Sequence, residues 1–287
     1  MACGLQAGSE TGRPDRIPCV LSIAGSDSGG GAGIQADLKA FAACGVHGMT
    51  AITAITAQST VAVDAVQAVS PELIVAQVRS VAHDIGVDAV KIGMLGDVAT
   101  IEAVARALDE LPGRERIPVV LDPVMVSESG ARLLAVQARG ALTELLLPRA
   151  TVITPNLPEA RALADAAEDL DAETLARHLH PLGAEVVVVT GGHREDATDV
   201  FFDGRRLVRI AGKRHLGGAA HGSGCTHSSV LAARLAWGDT PLQAAREAKR
   251  RAALAVRDGL ESVGQGPGPV DALGLARTTS GGGGRVT

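Results

Sequence analysis

The chain has 287 residues, of which 46% are hydrophobic and 21% charged, and this balance excludes wholesale disorder. Aromatic residues make up 1% and the net charge is −5, so the basic surfaces and stacking rings of a nucleic-acid-binding protein are missing. No apolar run approaches the ~18 residues that span a bilayer, and the segment from Met1 to Arg13 lacks the pattern of a signal peptide. We therefore expect a soluble globular protein with no nucleic-acid or membrane partner.

In chain order, short β-branched runs alternate with alanine-rich helical stretches. The predicted strands are Ile17–Ala24, Met49–Ala57, Ala89–Ile92, Val119–Leu121, Thr151–Ile153 and Val186–Val189, and the predicted helices are Ala32–Cys44, Glu72–Ile85, Thr100–Leu111, Val136–Leu147, Ala172–Leu179, Thr226–Ala236 and Leu242–Asp258. Residues 16–276 are predicted to form one domain. Residues 1–15 and 277–287 are predicted to be flexible tails, since the first lacks periodicity and the second is rich in glycine.

The alternation of strands and helices predicts an α/β fold with a doubly wound, mainly parallel central sheet flanked by helices. Runs such as Val186–Val189 are apolar on both faces, as expected for strands covered above and below. Val200–Asp203 and Arg206–Ile210 flank Gly204-Arg205 and predict a short antiparallel hairpin extending that sheet.

Polar or glycine-rich residues follow six of the predicted strands. Because ligands of such sheets bind beyond the carboxyl ends of the strands, we expect these residues to form one site. They are Gly25-Ser26-Asp27, Gln58, Gly93-Met94, Asp122-Pro123, Thr154-Pro155-Asn156 and Thr190-Gly191-Gly192-His193.

The first glycine cluster is open to three interpretations. Gly31, Gly33 and Ala36 satisfy the G-x-G-x-x-A pattern of dinucleotide-binding loops. That pattern needs an acidic residue ~20 positions later to hold a ribose, and residues 50–63 contain none. A tight turn, or close approach of backbone to a small substrate, explains the glycines equally well.

The second glycine cluster, Gly222-Ser223-Gly224-Cys225, directly precedes a predicted helix. Glycines let backbone N–H groups converge at a helix start, a geometry that binds anions such as a phosphoryl group in transit. A helix N-terminus also lowers a thiol pKa, so Cys225 could act as a base toward a substrate hydroxyl. The alternative is a buried structural cysteine.

Oxygen-bearing side chains suggest a magnesium site. Asp122 ends one strand, and Asn156 and Glu159 lie three residues apart at the start of a helix. Such ligands suit Mg²⁺ held through water and nucleotide phosphates, but the spacing of the latter two also fits a helix capping box. Gln58 can donate and accept at once and so can pair with a heterocycle edge; for Gln58 and Asp37, ordinary solvation or capping stays an alternative.

The four cysteines, Cys3, Cys19, Cys44 and Cys225, form no C-x-x-C pair and have no metal-ligand spacing. In a chain this long, that pattern predicts reduced thiols and a cytoplasmic location.

Taken together, the motifs resemble those of hydroxymethylpyrimidine/phosphomethylpyrimidine kinases, members of the ribokinase-like superfamily that serve thiamine biosynthesis. The similarity is collinear over roughly residues 17–273. It is carried by Ser22–Lys39, Thr53–Gln58, Lys91–Met94, Asp122–Met125, Ile153–Ala160, Gly191-Gly192-His193 and His221–Thr226.

The resemblance implies two ATP-dependent phosphorylations, first of 4-amino-5-hydroxymethyl-2-methylpyrimidine and then of its monophosphate. It implies that Gln58 binds the aminopyrimidine and that Gly25, Asp37, Thr56 and Met94 line its pocket. Gly222, Ser223, Gly224 and Cys225 would form the catalytic anion hole, with Cys225 where sugar kinases carry an aspartate. Asp122 and Glu159 would support Mg²⁺, and Asn156, Thr190, Gly191 and Gly192 the nucleotide. Dimers are common in the superfamily, so the resemblance also implies a homodimer.

Four positions depart from the family pattern. Thr190 stands where many relatives carry Lys, which removes a cation near the ATP phosphates. Ala219 and Ala220 replace Asn-Thr, and Ser223 replaces Thr.

Three other functions compete with this kinase. A pyridoxal or pyridoxine kinase of the same fold usually keeps Asp at the position of Cys225. A non-catalytic pyrimidine sensor would fit the altered Thr190. A nicotinamide-dependent oxidoreductase lacks its ribose carboxylate.

Overall fold

The computed structural model describes residues 16–127, 130–192, 197–215 and 219–276. Its strands are β1 (Cys19–Ala24), β2 (His47–Ile52), β3 (Ala54–Gln58), β4 (Val63–Ala68), β5 (Ala89–Ile92), β6 (Val119–Leu121), β7 (Val152–Ile153), β8 (Val186–Val189), β9 (Asp199–Phe202) and β10 (Leu207–Ile210). Its α-helices are α1 (Gly33–Ala43), α2 (Pro71–Asp84), α3 (Val98–Asp109), α4 (Ala138–Ala141), α5 (Leu157–Ala164), α6 (Ala172–Leu179), α7 (Ser223–Ala236) and α8 (Pro241–Arg257). The predicted tails lie outside the described residues, and the division into one domain and two tails stays a prediction.

Eight strands form one sheet in the order β10-β9-β8-β7-β6-β5-β1-β2. The strands from β2 to β8 in that order pair in parallel, whereas β9 and β10 are antiparallel. The predicted doubly wound sheet and its hairpin extension are therefore confirmed. The direction in which successive strands are added to the sheet reverses between β1 and β5. The carboxyl ends of these two neighbouring strands therefore lie at the point where such sheets bind ligands.

Both faces of the sheet are buried under helices. One apolar core packs α2, α3, α5 and α6 against the sheet, and the other packs α1, α7 and α8 against the opposite face. The cores are almost wholly aliphatic, with Phe41, Phe201 and Phe202 as their aromatic members. No helix in the described ranges combines the length and apolar character needed to cross a membrane.

The predicted strand Met49–Ala57 is wrong as a single element. The chain leaves the central sheet at Thr53, whose hydroxyl donates to the Met94 carbonyl at 2.7 Å. Beyond it, β3 pairs antiparallel with β4 in a separate two-stranded hairpin. The apolar run continues through the switch without a turn residue, and β4 is largely exposed, so periodicity shows neither the break nor the partner strand.

Two helices also differ from prediction. The segment 136–147 begins as α4 but widens into a π-turn at Leu142–Leu146 and ends in a 3₁₀ turn at Leu147–Arg149. Pro148 has no N–H and its ring crowds the preceding turn, so a regular helix cannot continue through it. The sequence predicts only the start of helix α5, at Asn156 and Glu159, and not its eight-residue length.

A buried ion pair links the sheet to its helices. Lys91, in the middle of β5, is fully buried, and its Nζ lies 2.9 Å from Asp37 Oδ1 on α1. The same carboxylate accepts hydrogen bonds from Ser22 Oγ at 2.6 Å and Ser229 Oγ at 2.7 Å. Burial works to lower the pKa of Lys91, but attraction to Asp37 outweighs it and raises that pKa. One carboxylate thus joins β1, β5, α1 and α7.

We predict that Lys91→Met destabilises the protein by about 3–5 kcal/mol, because it leaves the Asp37 carboxylate buried without its counter-charge. Urea unfolding of the variant and the parent chain measures the loss. The matched control is Asp37→Asn/Lys91→Met, which removes both charges and should recover much of the stability. A single variant within about 1 kcal/mol of the parent, the range of an exposed pair, would contradict a buried charge pair.

Candidate active site

A cavity of about 440 Å³ opens at the carboxyl ends of the parallel strands. Each of the six polar strand ends contributes at least one residue to its wall, which confirms that they assemble in one place; His193 alone lies outside the described residues. Twelve of the proposed site residues line it: Gly25, Gln58, Met94, Asp122, Asn156, Glu159, Thr190, Gly192, Gly222, Ser223, Gly224 and Cys225.

Three proposed site residues lie behind the wall instead. Asp37 is fully buried and does not line the cavity. Its ion-pair partner Lys91 lines the cavity instead. Thr56 is buried and donates its hydroxyl to the Ser26 carbonyl at 2.9 Å. The expectation that Asp37 and Thr56 line the pocket is therefore corrected: both support residues that do.

Gly191 is the third proposed site residue that does not line the cavity. Its N–H donates to Asp199 Oδ1 at 2.8 Å, so the amide expected on the nucleotide side is already used. Asp199 itself lines the cavity.

The first glycine loop is closed on its own carboxylate. Asp27 accepts hydrogen bonds from the N–H groups of Gly29 at 2.8 Å, Gly31 at 3.0 Å and Ala32 at 2.8 Å. His221 Nε2 also lies 2.9 Å from Asp27 Oδ2. Burial works to raise the pKa of Asp27, but these hydrogen bonds lower it below its usual value. Because the amides are occupied, the loop does not offer them to a pyrophosphate, and the dinucleotide interpretation is wrong.

The second glycine loop meets the first. Gly222 has φ = +84°, and a Cβ there would collide with the carbonyl oxygen of Gly31, so only glycine fits. Helix α7 begins at Ser223, three residues earlier than predicted. In the described part of the chain, the first-turn N–H groups of Gly224 and Cys225 donate to no acceptor, so this helix start retains free amides facing the cavity.

Cys225 sits where these two loops converge. The Gly33 N–H and the charges of Lys91, Asp37 and Asp122 are close enough to act on the pKa of its thiol. Burial raises the pKa of Cys225 to about 12, and the nearby Lys91 only partly opposes it. The expectation of a lowered pKa is therefore wrong: loss of hydration raises it, and the thiol is protonated at neutral pH.

Two carboxyl groups lie side by side across the cavity. Asp122 and Glu159 are 5% and 8% exposed. Burial raises the pKa of Glu159 to about 8, with repulsion from Asp122 adding to it, and burial likewise raises the pKa of Asp122. Glu159 and Asn156 also form a capping box, with N–H to oxygen distances of 2.9 Å in both directions. The capping interpretation is confirmed, and it fixes a carboxyl that faces the cavity.

Sequence reasoning missed several charged residues of the wall. Lys91 could have been noticed, because it is the one charge in an apolar strand. Asp199 has its Oδ1 2.6 Å from Lys249 Nζ and its Oδ2 3.1 Å from His227 Nε2. Asp199, Lys249 and His227 line the same cavity as Thr190. Their spacing in the sequence does not indicate that they are neighbours.

The chain was compared with known families and proteins. A family profile described as phosphomethylpyrimidine kinase matches residues 27–271. Over 257 residues the chain is 49% identical to a hydroxymethylpyrimidine/phosphomethylpyrimidine kinase of Rhizobium meliloti (strain 1021), covering 87% of this chain and 95% of that protein. The chain belongs to the phosphomethylpyrimidine kinase family.

Solved structures similar to this family member include two kinases. An ADP complex of Bacillus subtilis pyridoxal kinase has a TM-score of 0.80 at 38% identity, covering 91% of this chain and 100% of that one. A phosphomethylpyrimidine kinase from Clostridium difficile 630 has a TM-score of 0.71 at 36% identity, covering 82% of this chain and 97% of that one. They confirm the ribokinase-like fold.

We predict that iodoacetamide alkylates Cys225 slowly at pH 8, with a rate that rises about tenfold per pH unit beyond pH 10, because only the thiolate reacts. Mass spectrometry of the Cys225 peptide after timed labelling measures this rate. The Cys225 peptide of the urea-unfolded chain is the control and should level off near the free-thiol pKa of ~8.5. A plateau below pH 9 in the folded protein would show that the thiolate forms readily.

Proposed function

We propose that the protein is an ATP-dependent kinase that phosphorylates 4-amino-5-hydroxymethyl-2-methylpyrimidine to its monophosphate and then to the pyrophosphate, for thiamine diphosphate biosynthesis. The observation that carries this proposal is one cavity whose wall includes Gln58, the start of α7 with Cys225, and the carboxyls of Asp122 and Glu159. Membership of the phosphomethylpyrimidine kinase family supports it.

Gln58 holds the aminopyrimidine in this proposal. Its backbone is fixed by Ser28, whose hydroxyl donates to the Gln58 carbonyl at 2.7 Å and accepts from its N–H at 2.8 Å. Its Oε1 lies 3.4 Å from Thr56 Oγ1, whose one proton goes to the Ser26 carbonyl, so the side-chain amide is left for a ligand. The amide can then accept from the amino group and donate to a ring nitrogen, while Gly25 and Met94 form the apolar wall around the ring.

The transferred phosphoryl group lies at the start of α7. The unoccupied N–H groups of Gly224 and Cys225 are hydrogen-bond donors aimed at the charge of the transition state, and the helix dipole adds to their effect. Such transfer depends mainly on positioning and charge stabilisation, since its transition state is loose. Lys91 behind the thiol supplies a fixed positive charge at the same place.

Mg²⁺ fits the Asp122–Glu159 pair. Both carboxyls are buried, burial raises the pKa of each, and repulsion from Asp122 raises that of Glu159 further, so a cation would stabilise their charged forms. They are too few for a protein cage, and no cluster of three or more metal-binding His, Cys, Asp or Glu side chains occurs in the described ranges. Mg²⁺ is commonly held by one or two carboxylates, water and phosphates. When bound, it would neutralise charge on the nucleotide phosphates.

The nucleotide occupies the end of the cavity near Asn156, Thr190 and Gly192. The ADP complex of the similar Bacillus subtilis kinase supports nucleotide binding by this fold. Lys213 and Arg214 also line the cavity, so the missing lysine at position 190 leaves other cations within reach of the phosphates.

Cys225 orients the substrate hydroxyl in the first step. A thiol with a pKa of about 12 is protonated at pH 7, so it can hydrogen-bond the substrate hydroxyl but cannot take its proton. As the new P–O bond forms and the bond to ADP breaks, the hydroxyl proton passes to an oxygen of the transferred phosphoryl group. The second step uses an anionic phosphate oxygen and needs no base.

A coupled ADP-formation assay that offers the pyrimidine alcohol and its monophosphate separately tests the function. We expect ATP-dependent turnover of both, with product masses increased by one phosphate each time. Omission of Mg²⁺ should abolish both activities. No ADP formation with either substrate would contradict the kinase and favour a pyrimidine sensor.

We predict that Cys225→Ala lowers kcat/KM for the alcohol more than for the monophosphate, by roughly a further 3–10-fold, because only the alcohol uses the hydrogen bond that positions its hydroxyl. Parallel single-substrate assays measure both ratios. Cys225→Ser is the matched control for side-chain size and should show less bias, since its hydroxyl can make the same hydrogen bond. Equal losses in the two steps would mean that Cys225 acts only as a structural residue.

Pyridoxal is a second candidate substrate. The Bacillus subtilis pyridoxal kinase has a higher TM-score to this chain than the Clostridium difficile phosphomethylpyrimidine kinase. Turnover of pyridoxal beside the pyrimidine alcohol, at equal ATP, separates the two activities.

Location and assembly complete the proposal. The free thiols Cys19, Cys44 and Cys225 support a cytoplasmic location. A homodimer follows from the resemblance, and the exposed apolar side chain of Ile55 on the β3–β4 hairpin is a candidate contact. Sedimentation equilibrium tests the dimer.

A further inference from the structure

The β3–β4 hairpin, which carries Gln58, is held at two places. At the turn end of β3, Ser28 makes two hydrogen bonds to the Gln58 backbone. At its tip, the hydroxyl of Thr60 accepts the N–H groups of Gln265 and Gly266, both at 3.2 Å. The second attachment spans more than 200 residues of sequence and lies outside every motif described above.

Residues 259–271, here called the C-terminal strap, are shaped to receive this tip. A Cβ at Gly266 would collide with the Thr60 carbonyl oxygen, and one at Gly264 would collide with its hydroxyl. The strap is folded back on itself, because the Leu260 N–H donates to the Pro269 carbonyl at 2.9 Å. The backbone of the strap therefore packs directly against Thr60 at the hairpin tip, with no room for side chains at Gly264 and Gly266.

The other end of the strap pairs with the loop that precedes α7. The His221 N–H donates to the Gly268 carbonyl at 3.3 Å, and the Val270 N–H donates to the His221 carbonyl at 3.1 Å. Gly222 follows directly. The strap thus connects the hairpin tip to the glycine loop that holds the phosphoryl group, along a path separate from the Asp27–His221 contact.

We propose that Thr60 is a positioning residue: by anchoring the hairpin tip to the C-terminal strap, it holds Gln58 over the pyrimidine at a fixed distance from the start of α7. The inference rests on the proposed function for its substrate. Thr60 does not line the cavity, so it acts through Gln58 and not by contact with the reacting groups.

The test is Thr60→Val, which keeps the shape of the side chain and removes the acceptor. Loss of two hydrogen bonds at about 0.5–1.5 kcal/mol each should raise KM for the pyrimidine alcohol roughly tenfold. KM for ATP should stay unchanged. Thr60→Ser retains the hydroxyl and should restore KM, and Val66→Ala on the exposed face of the same hairpin is the matched control.

Gly266→Ala breaks the same contact from the strap and should give the same KM change. If both variants act on one anchor, the double variant should be no worse than the more impaired single variant. An unchanged KM in Thr60→Val, equal rises in both KM values, or a loss in kcat alone would overturn the proposal.

Hydrogen exchange gives a readout that does not depend on turnover. Amides of residues 54–68 should exchange faster in Thr60→Val and Gly266→Ala than in the parent chain, and at the parent rate in Val66→Ala. Unchanged exchange in Thr60→Val would also overturn the anchor. If the parent chain does not phosphorylate the alcohol, the proposed function fails while the exchange data still decide whether the anchor exists.

Discussion

The whole site depends on a charge that the fold has to bury. Lys91 lies fully buried in a central strand, and an unpaired ammonium there would cost several kcal/mol. Asp37 meets this cost only if α1 lies at one position above the sheet, and the serines from β1 and α7 then satisfy the remaining lone pairs of the carboxylate. A single electrostatic requirement therefore fixes two helices and two strands.

The helices fixed in this way are the two that begin with the glycine loops. Helix α1 follows the loop closed by Asp27, and α7 follows the loop at Gly222; the two loops meet at the contact between Gly31 and Gly222. The cavity wall at the first glycine loop and the start of α7 are therefore parts of one rigid assembly. Phosphoryl transfer relies on fixed donors, so this rigidity serves the chemistry.

Much of this arrangement can be predicted from the sequence. The features that cannot be predicted depend on contacts between residues that are distant in the sequence. The sheet follows from apolar runs such as Val186–Val189, and the shared site follows from polar residues at strand ends. Asp37 was misplaced because sequence distance does not show that Lys91 stands between it and the cavity. No turn residue marks the point at Thr53 where the chain leaves the central sheet.

The pKa of Cys225 was mispredicted for a different reason. A helix start can be read from a sequence, but the degree of desolvation depends on what packs around the sulfur. Here burial raises the pKa to about 12, and the positive charge of Lys91 only partly opposes it. Contacts between distant residues, such as Asp199 with Lys249, are invisible without the fold.

The closure of the first glycine loop on Asp27 bears on how glycine-rich signatures are interpreted. A loop whose amides already have an internal carboxylate acceptor is preorganised before any ligand arrives, and it repels further negative charge. An aspartate two residues ahead of such a run, as Asp27 stands before Gly29, thus marks a self-capped loop. Searches for nucleotide-binding proteins could use that residue to separate loops that bind anions from loops that carry their own.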